Sequence, residues 1–439
     1  MRTIAARFGA ECWYPATRSK LFLLVVSVAL SLAAHLVFLR ALPAPWQENQ
    51  SGDYHVFYEP VARQLAGGHG FYLPSGKPAL KYPPGIPVVY GATFWLSDRV
   101  RMPHETGLRA LQGLLTVATS VMVAMIAFEN FGARAGLAAC FLWSTYPFHL
   151  WLSKQPSAEP LVSVLLGASV LAFSRWLSNG RGVLVWGSVC GAVAAFAALA
   201  KPFNIGLAAV FAILPWVCDV KCTRRTRAAF SATVLIAFSL SILPWEIWAS
   251  RTAGHIIPLC TNGTATLLDG ITFGTGRNKV QKPPALPRPV ELLAKDFAAH
   301  RKDLQSNSEV VTLLIAHTRR SPLPVALLFL TKAAVSWYGN DSHHHERWAL
   351  LIQLFYLPLF TFGALVTRRG AREQRNFLFI ATGITLYYWG MTTFVALPIV
   401  RYMVPAISLL MVLAGNAVGV IVAAFGWRPV LVKTEVAAP

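Results

Sequence analysis

The chain has 439 residues, 55% hydrophobic and 13% charged, with 39 Lys and Arg against 19 Asp and Glu for a formal net charge of +20. At a mean hydropathy of +0.50 its apolar side chains outnumber what one water-soluble core can bury, which excludes an ordinary soluble domain and makes a bilayer the solvent. The positive excess would suggest nucleic acid in a soluble protein, but here it gathers in short runs beside apolar stretches, as in cytoplasmic loops: Arg2, Arg7, Arg18 and Lys20, then KCTRRTR at 221–227 and RRGAREQR at 368–375.

Leu21 to Leu39 is almost continuously apolar, roughly the 20 residues that cross about 30 Å of hydrocarbon. It exceeds the h-region of a signal peptide, about 7 to 15 residues, so a retained anchor is expected. Spans are expected near 20–41, 108–128, 136–153, 160–176, 183–200, 204–218, 229–249, 348–366, 377–397 and 403–426, about ten in all, with both termini cytoplasmic. Ile86–Leu96 and Leu323–Trp337 are short or interrupted and are expected at the interface or as re-entrant pieces. Two long external segments remain, about 42–107 and about 250–347, and function is expected there because the other connectors hold little beyond a turn. The second segment is basic, but loops longer than about 60 residues translocate largely regardless of charge. Six scattered cysteines, at 12, 140, 190, 218, 222 and 260, give no disulfide framework. Pro283, Pro284, Pro287 and Pro289 mark a stiff extended stretch.

In the first segment, Phe57, Val61 and Leu65 recur every four residues before Gly67 and Gly68 stop the pattern, as in a short amphipathic helix lying along the membrane. Asp53 stands just before its first turn, where a carboxylate caps backbone N–H groups or serves chemistry, two roles that are not exclusive. Downstream, L-K-Y-P-P-G-I-P at 80–87 forbids a regular helix through Pro83, Pro84, Gly85 and Pro87. Broken backbone at membrane depth is tolerated only against protein or a wet cavity. Lys81 beside it either snorkels to the interface or faces a phosphate.

These pieces, with F-G-A-R-A-G at 131–136, S-A-E-P at 157–160, A-L-A-K-P at 198–202, L-P-W-E-I-W at 243–248, P-L-C-T-N-G-T at 258–264 and R-Y-M-V-P at 401–405, resemble the GT-C superfamily of lipid-phosphate-sugar-dependent glycosyltransferases, in the group containing protein O-mannosyltransferases and aminoarabinose transferases. The ordered set covers most of the chain. Departures are Lys201 where the family often has arginine, a single acid, Asp53, where some members carry a pair, and an end soon after the last expected helix, where aminoarabinose transferases continue into a soluble domain. They leave the acceptor open.

The resemblance implies an all-α integral membrane protein, a GT-C-like bundle of about ten transmembrane helices with interfacial helices in two long external loops. It implies an inverting transfer of a hexosyl or pentosyl group from a polyprenyl-phosphate carrier to a hydroxyl of a glycan, lipid or protein acceptor. The expected setting is a bacterial inner membrane with the active site on the periplasmic, external face. In that picture Asp53 is the general base. Glu159, on a short external turn, orients the acceptor, or else is a solvated helix-start glutamate beside Pro160. Lys81, Lys201, Arg401 and Tyr402 hold the donor phosphate, with interfacial snorkelling as the plainer role of the lysines and arginine, and Tyr54, His55, Tyr82, Asn262 and Trp337 line the substrate. No cofactor follows from the motifs, and a divalent-metal requirement stays open; no nucleic-acid partner is expected.

Asp341, His343, His344, His345 and Glu346 look metal-like, but consecutive histidines cannot all face one side of a helix or strand, and a solvated interfacial loop is expected. Asn262-Gly-Thr264 fits a glycosylation sequon and equally the Asn-Gly turn of the resemblance. Trp245, Trp248 and Trp337 are expected at the outer face, where a sugar stacks. A transporter or flippase for a lipid-linked glycan is the rival class. It calls for charges within spans and repeat symmetry, whereas most charges here stand at helix ends. A polymerase or ligase using a lipid-pyrophosphate glycan would suit the basic stretch Arg277 to Arg320.

Overall fold

Hydrocarbon offers backbone amides no partner, so a run that crosses it must close its own hydrogen bonds as a helix. A computed structural model of the chain follows that rule and describes residues 17–49, 51–273, 275 and 286–425. Arg2, Arg7, Cys12, Arg277, Pro283 and Pro284 lie outside the described residues.

The helices are α1 (Thr17–Ala41), a one-turn α2 (Ala44–Gln47), α3 (Glu59–Ala66), α4 (Gly85–Arg99), α5 (His104–Phe131), α6 (Ala133–Ser144), α7 (Pro147–Ser153), α8 (Glu159–Asn179) and α9 (Val183–Ala200). They continue with α10 (Leu207–Val217), α11 (Arg224–Ala253), α12 (Gly263–Ile271), α13 (Arg288–Ala299), α14 (Asn307–Arg320), α15 (Pro322–Val335), α16 (Glu346–Arg368), α17 (Arg372–Phe394) and α18 (Val400–Ala424). The all-α membrane bundle expected from the sequence is borne out.

Eight helices among the described residues, α1, α5, α8, α9, α11, α16, α17 and α18, are long and apolar enough to cross a membrane. Two of the ten expected spans are not. The stretch 136–153 breaks at Thr145–Tyr146, where Pro147 opens α7, because proline lacks an N–H and biases the preceding residue away from helical backbone. The stretch 204–218 holds only the 11 residues of α10 after a 3-10 turn at Pro202–Asn204, about 16 Å of helix at 1.5 Å per residue.

α18 is the axle. It is buried without interruption from Met403 to Ala417 and packs against α5, α6, α8, α16 and α17. Small residues allow the close approach: a Cβ on Gly415 would stand 2.6 Å from the Ala135 carbonyl, and one on Gly363 2.1 Å from that of Leu413. Polar groups inside this core pair across helices, Gln353 Nε2 donating to Tyr146 Oη at 2.8 Å and Asn416 Nδ2 to Thr367 Oγ1 at 3.0 Å.

The two long connections pack differently. In the first, Phe57, Tyr58, Val61, Ile86, Tyr90 and Phe94 share one core with Val162 of α8, Ala195 and Ala198 of α9, and Ile242 and Trp245 of α11. In the second, α12–α15 surround a core of their own built on Leu268, Ile271, Val290, Leu293, Phe297, Val310 and Leu328. α15 joins this unit to the bundle, its Ala333 carbonyl accepting from Trp389 Nε1 at 2.8 Å and its Phe329 ring lying 5.1 Å from that of Phe394.

Candidate active site

The segment before α3 is wound as a π turn over Tyr54–Tyr58, a local widening of the helix often found at functional positions. Asp53 has helical backbone there and makes no capping bond; the Tyr54 N–H donates instead to Ser51 Oγ at 3.4 Å. The capping role expected for Asp53 is therefore not the one it has. Its carboxylate engages another segment, Oδ1 accepting from Tyr82 Oη at 2.9 Å.

Tyr82 is set by the K-Y-P-P-G run. Its ring lies 5.1 Å from Phe57 and 5.5 Å from Tyr58, and α4 begins three residues later. A Cβ on Gly85 would stand 2.6 Å from the Leu199 and Ala200 backbone, so only glycine lets this turn seat against the end of α9. Burial, reinforced by the Asp53 carboxylate, holds the Tyr82 hydroxyl well above the usual phenol range. It thus remains a donor to Asp53.

Lys201 follows directly on α9 in extended backbone. Its loop is pinned from inside: Asn204 Nδ2 donates to the Ala197 and Lys201 carbonyls at 3.1 Å, Tyr388 Oη donates to Asn204 Oδ1 at 2.5 Å, and Tyr387 Oη donates to the Phe203 carbonyl at 2.6 Å. From there Lys201 Nζ donates to Glu159 Oε1 at 2.6 Å and stands 3.7 Å from the centre of the Tyr402 ring. Arg401 approaches the same carboxylate oxygen, Nε at 3.2 Å, while its Nη1 lies 3.3 Å from Asp341 Oδ2. The Val400 N–H donates to the Gly339 carbonyl at 2.8 Å, which brings the 339–341 strip against the start of α18.

Glu159 is the first residue of α8, and its side chain is 4% exposed. It occupies neither an open turn nor a solvated helix start. A carboxylate so deeply placed needs its charge answered, and Lys201 and Arg401 answer it together. Asp53 lies within electrostatic reach of Lys201, and Tyr82 within reach of Tyr402. The half built on α3 and α4 and the half built on α8, α9 and α18 therefore form one polar cluster at one end of the bundle.

The remaining candidates sit around it. Lys81 is exposed, its ammonium 5.1 Å from the centre of the Tyr82 ring. Tyr54 is buried edge-on against Tyr90, and His55 is exposed, 3.6 Å from Glu59. Asn262 precedes α12 and donates to Thr266 Oγ1 at 3.3 Å, while the neighbouring Thr261 N–H bonds the Leu80 carbonyl at 3.0 Å. Trp337 is partly buried, 6.2 Å from Trp389.

Trp245 is not an open stacking surface. It is buried against Phe71, and Nε1 donates to the Leu259 carbonyl at 2.7 Å while Glu246 Oε1 accepts the Leu259 N–H at 2.7 Å. The L-P-W-E-I-W and P-L-C-T-N-G-T runs thus clamp each other around Leu259, whose φ is +59°. His343 pairs with Glu346 at 2.8 Å and His345 lies against Trp46. No group of three metal-type ligands occurs among the described residues. Sequence reasoning grouped Asp341 with these histidines and missed its pairing with Arg401. Two surface clefts, about 540 Å³ at Ser178–Trp186 and about 420 Å³ between α13, α14 and α15, share no residue with the cluster.

Residues 85–248, from α4 through most of α11, match the model of the dolichyl-phosphate-mannose-protein mannosyltransferase family. None of the curated proteins matches the chain. Among solved structures, the oligosaccharyltransferase AglB from Archaeoglobus fulgidus, in complex with an inhibitory peptide and a dolichol-phosphate, is similar over 92% of this chain and 50% of its own, with 13% identity and a TM-score of 0.55. The A. fulgidus oligosaccharyltransferase tethered to an acceptor peptide containing the NVT sequon gives 12% identity and a TM-score of 0.54 over 94% and 51%. ArnT from Cupriavidus metallidurans bound to undecaprenyl phosphate gives 18% identity over 90% and 59%, with a TM-score of 0.42. The chain spans about half the length of the archaeal structures it matches. The GT-C resemblance read from the motifs agrees with both the family model and the fold.

Proposed function

On the premise that this chain is a GT-C membrane protein, we propose that it transfers a sugar, with inversion, from a polyprenyl-phosphate carrier to an acceptor hydroxyl at the external face of the membrane. The observation that carries this reading is the placing of one carboxylate, Asp53, within electrostatic reach of Lys201, which shares the Glu159 carboxylate with Arg401 at a single end of the bundle. A glycosyl transfer needs that combination. The acceptor oxygen bonds to the anomeric carbon as the bond from that carbon to the phosphate oxygen breaks; the acceptor proton passes to Asp53, and the electron pair leaves with the carrier phosphate. Tyr82 holds the carboxylate in place as it takes the proton. Lys201, Arg401 and Lys81 stabilise charge growing on the phosphate.

The cations are already partnered, so the phosphate must exchange with something. Asp341, 53% exposed, is the partner that yields, and buried Glu159 stays as the positioning residue behind both cations. The complex of AglB with a dolichol-phosphate supports a lipid-phosphate donor by likeness of fold.

Sidedness rests on charge. α16 starts beside the site at Glu346 and ends at Arg368, so the RRGAREQR run lies at the opposite end. The Asp219 N–H donates to Asn376 Oδ1 at 2.8 Å, which sets the KCTRRTR run at that same end. Basic loops stay cytoplasmic, and the site faces out. The test is transfer by the purified protein from a polyprenyl-phosphate sugar to glycan, lipid and peptide acceptors, with Asp53→Asn as the control. That variant is expected to fall about 10²- to 10⁴-fold while remaining folded, and near-normal turnover removes Asp53 as the base. Movement of the lipid across the bilayer with no transfer would instead favour a flippase.

A further inference from the structure

The cleft of about 420 Å³ between α13, α14 and α15 has an apolar floor of Pro289, Leu292, Leu293 and Pro324 and a rim carrying Arg288 and Arg320. Its one acid, Asp296, is taken by His317 at 2.8 Å and has His300 at 3.6 Å. Arg288, Arg319 and Arg320 are exposed; the acid nearest Arg288, Glu291, is held by Lys295 at 2.6 Å.

The helix that runs away from this rim has an apolar side left open. On α15, Leu323, Ala326, Leu330 and Ala334 are all exposed, at spacings of three, four and four residues that put them on one face, while Val325, Leu328 and Val335 are buried on the other. Leu323 and Leu330 are 60% and 67% exposed, and Leu292 beside the cleft is 59% exposed. Water is a poor neighbour for such a stripe, and lipid is close at hand: α15 docks on the end of α17, a membrane-crossing helix, through Ala333 and Phe329. The pattern, an apolar track next to a spanning helix that ends at a group of exposed arginines, matches an amphiphile with a phosphate head.

We propose that this cleft binds an anionic phospholipid of the surrounding leaflet, its phosphate between Arg288 and Arg320 and its acyl chain over Leu292 and along the α15 stripe. The bound lipid fastens the α12–α15 unit to the bilayer surface. This site is separate from the Asp53 cluster and needs no sugar donor.

The test uses the full chain in neutral detergent micelles, doped in turn with phosphatidylglycerol, phosphatidylcholine or inorganic phosphate, with the apparent melting temperature and lipid retention read by native mass spectrometry. Phosphatidylglycerol is expected to raise the melting temperature and to be retained roughly tenfold more than phosphatidylcholine, since each basic residue at an anionic surface strengthens binding severalfold. Arg288→Ala with Arg320→Ala, both exposed, should melt like the native chain without lipid and lose that preference. An equal effect of phosphatidylcholine, a preference kept by the double variant, or no effect of phosphatidylglycerol on the native chain overturns the proposal. A matching shift with inorganic phosphate overturns the acyl-chain half and leaves a plain anion site.

Discussion

The connection over 42–107 and the one over 250–347 are both long, aromatic and proline-bearing, yet they fold on opposite plans. The first has no interior of its own; Phe57, Ile86 and Phe94 complete a core whose other half is the bundle. The second encloses Phe297 and Leu293 within α12–α15 and touches the bundle mainly through α15. The difference follows what each supplies. On the proposed function, a carboxylate that works at a set distance from Lys201 gains from sharing packed walls with it, because interiors are dense and transmit position. A unit that contributes Asp341 at its trailing end can be a body apart.

Substitutions can break or sharpen that contrast. Asp53→Asn should have the largest effect, about 10²- to 10⁴-fold on transfer, with unchanged melting, because Asp53 is only partly buried and accepts one hydrogen bond, from Tyr82 at 2.9 Å; a parallel collapse of stability would show that the first connection depends on the carboxylate itself. Glu159→Ala leaves buried Lys201 without its carboxylate and Arg401 with only the exposed Asp341, and should cost about 3–5 kcal/mol. Chemical denaturation in detergent reads this, and an unchanged midpoint would mean that water reaches both cations. Phe297→Ala should cost about 3–5 kcal/mol inside α12–α15, speeding hydrogen exchange over 288–335 while leaving 54–66 as it was. Equal acceleration in both regions would deny that they are separate bodies. Tyr82→Phe, the smallest, removes one bond to a carboxylate and should slow transfer about tenfold, with melting within a degree or two of native.

The span helices were legible because hydrocarbon leaves few options, and eight of the ten expected stretches are helices of crossing length. Pro147 carried the signal that 136–153 would break, but an apolar run on both sides hid it. Asp53 was legible as a candidate, but the capping role offered beside chemistry is absent, since the π turn that hands capping to Ser51 has no periodicity of its own. Glu159, Lys201 and Arg401 were each visible at the end of an apolar run. Their sharing of one oxygen was not, because it joins residues 42 and 242 positions apart through packing alone. Trp245 misled for the same reason: its bond to the Leu259 carbonyl is invisible in a local window.

Arg401 stands in the first turn of α18, and that helix is walled by protein from Met403 to Ala417. A cation mounted on such a shaft is a fixed post. A ligand that grips it pulls along the length of the whole membrane domain, which has little room to lean. On the proposed function, room for differently sized guests would come from the opposite bank, the largely exposed strip from Asp341 to His345. Exchange of that strip between related chains is accordingly a route to altered guest size that leaves the bundle untouched.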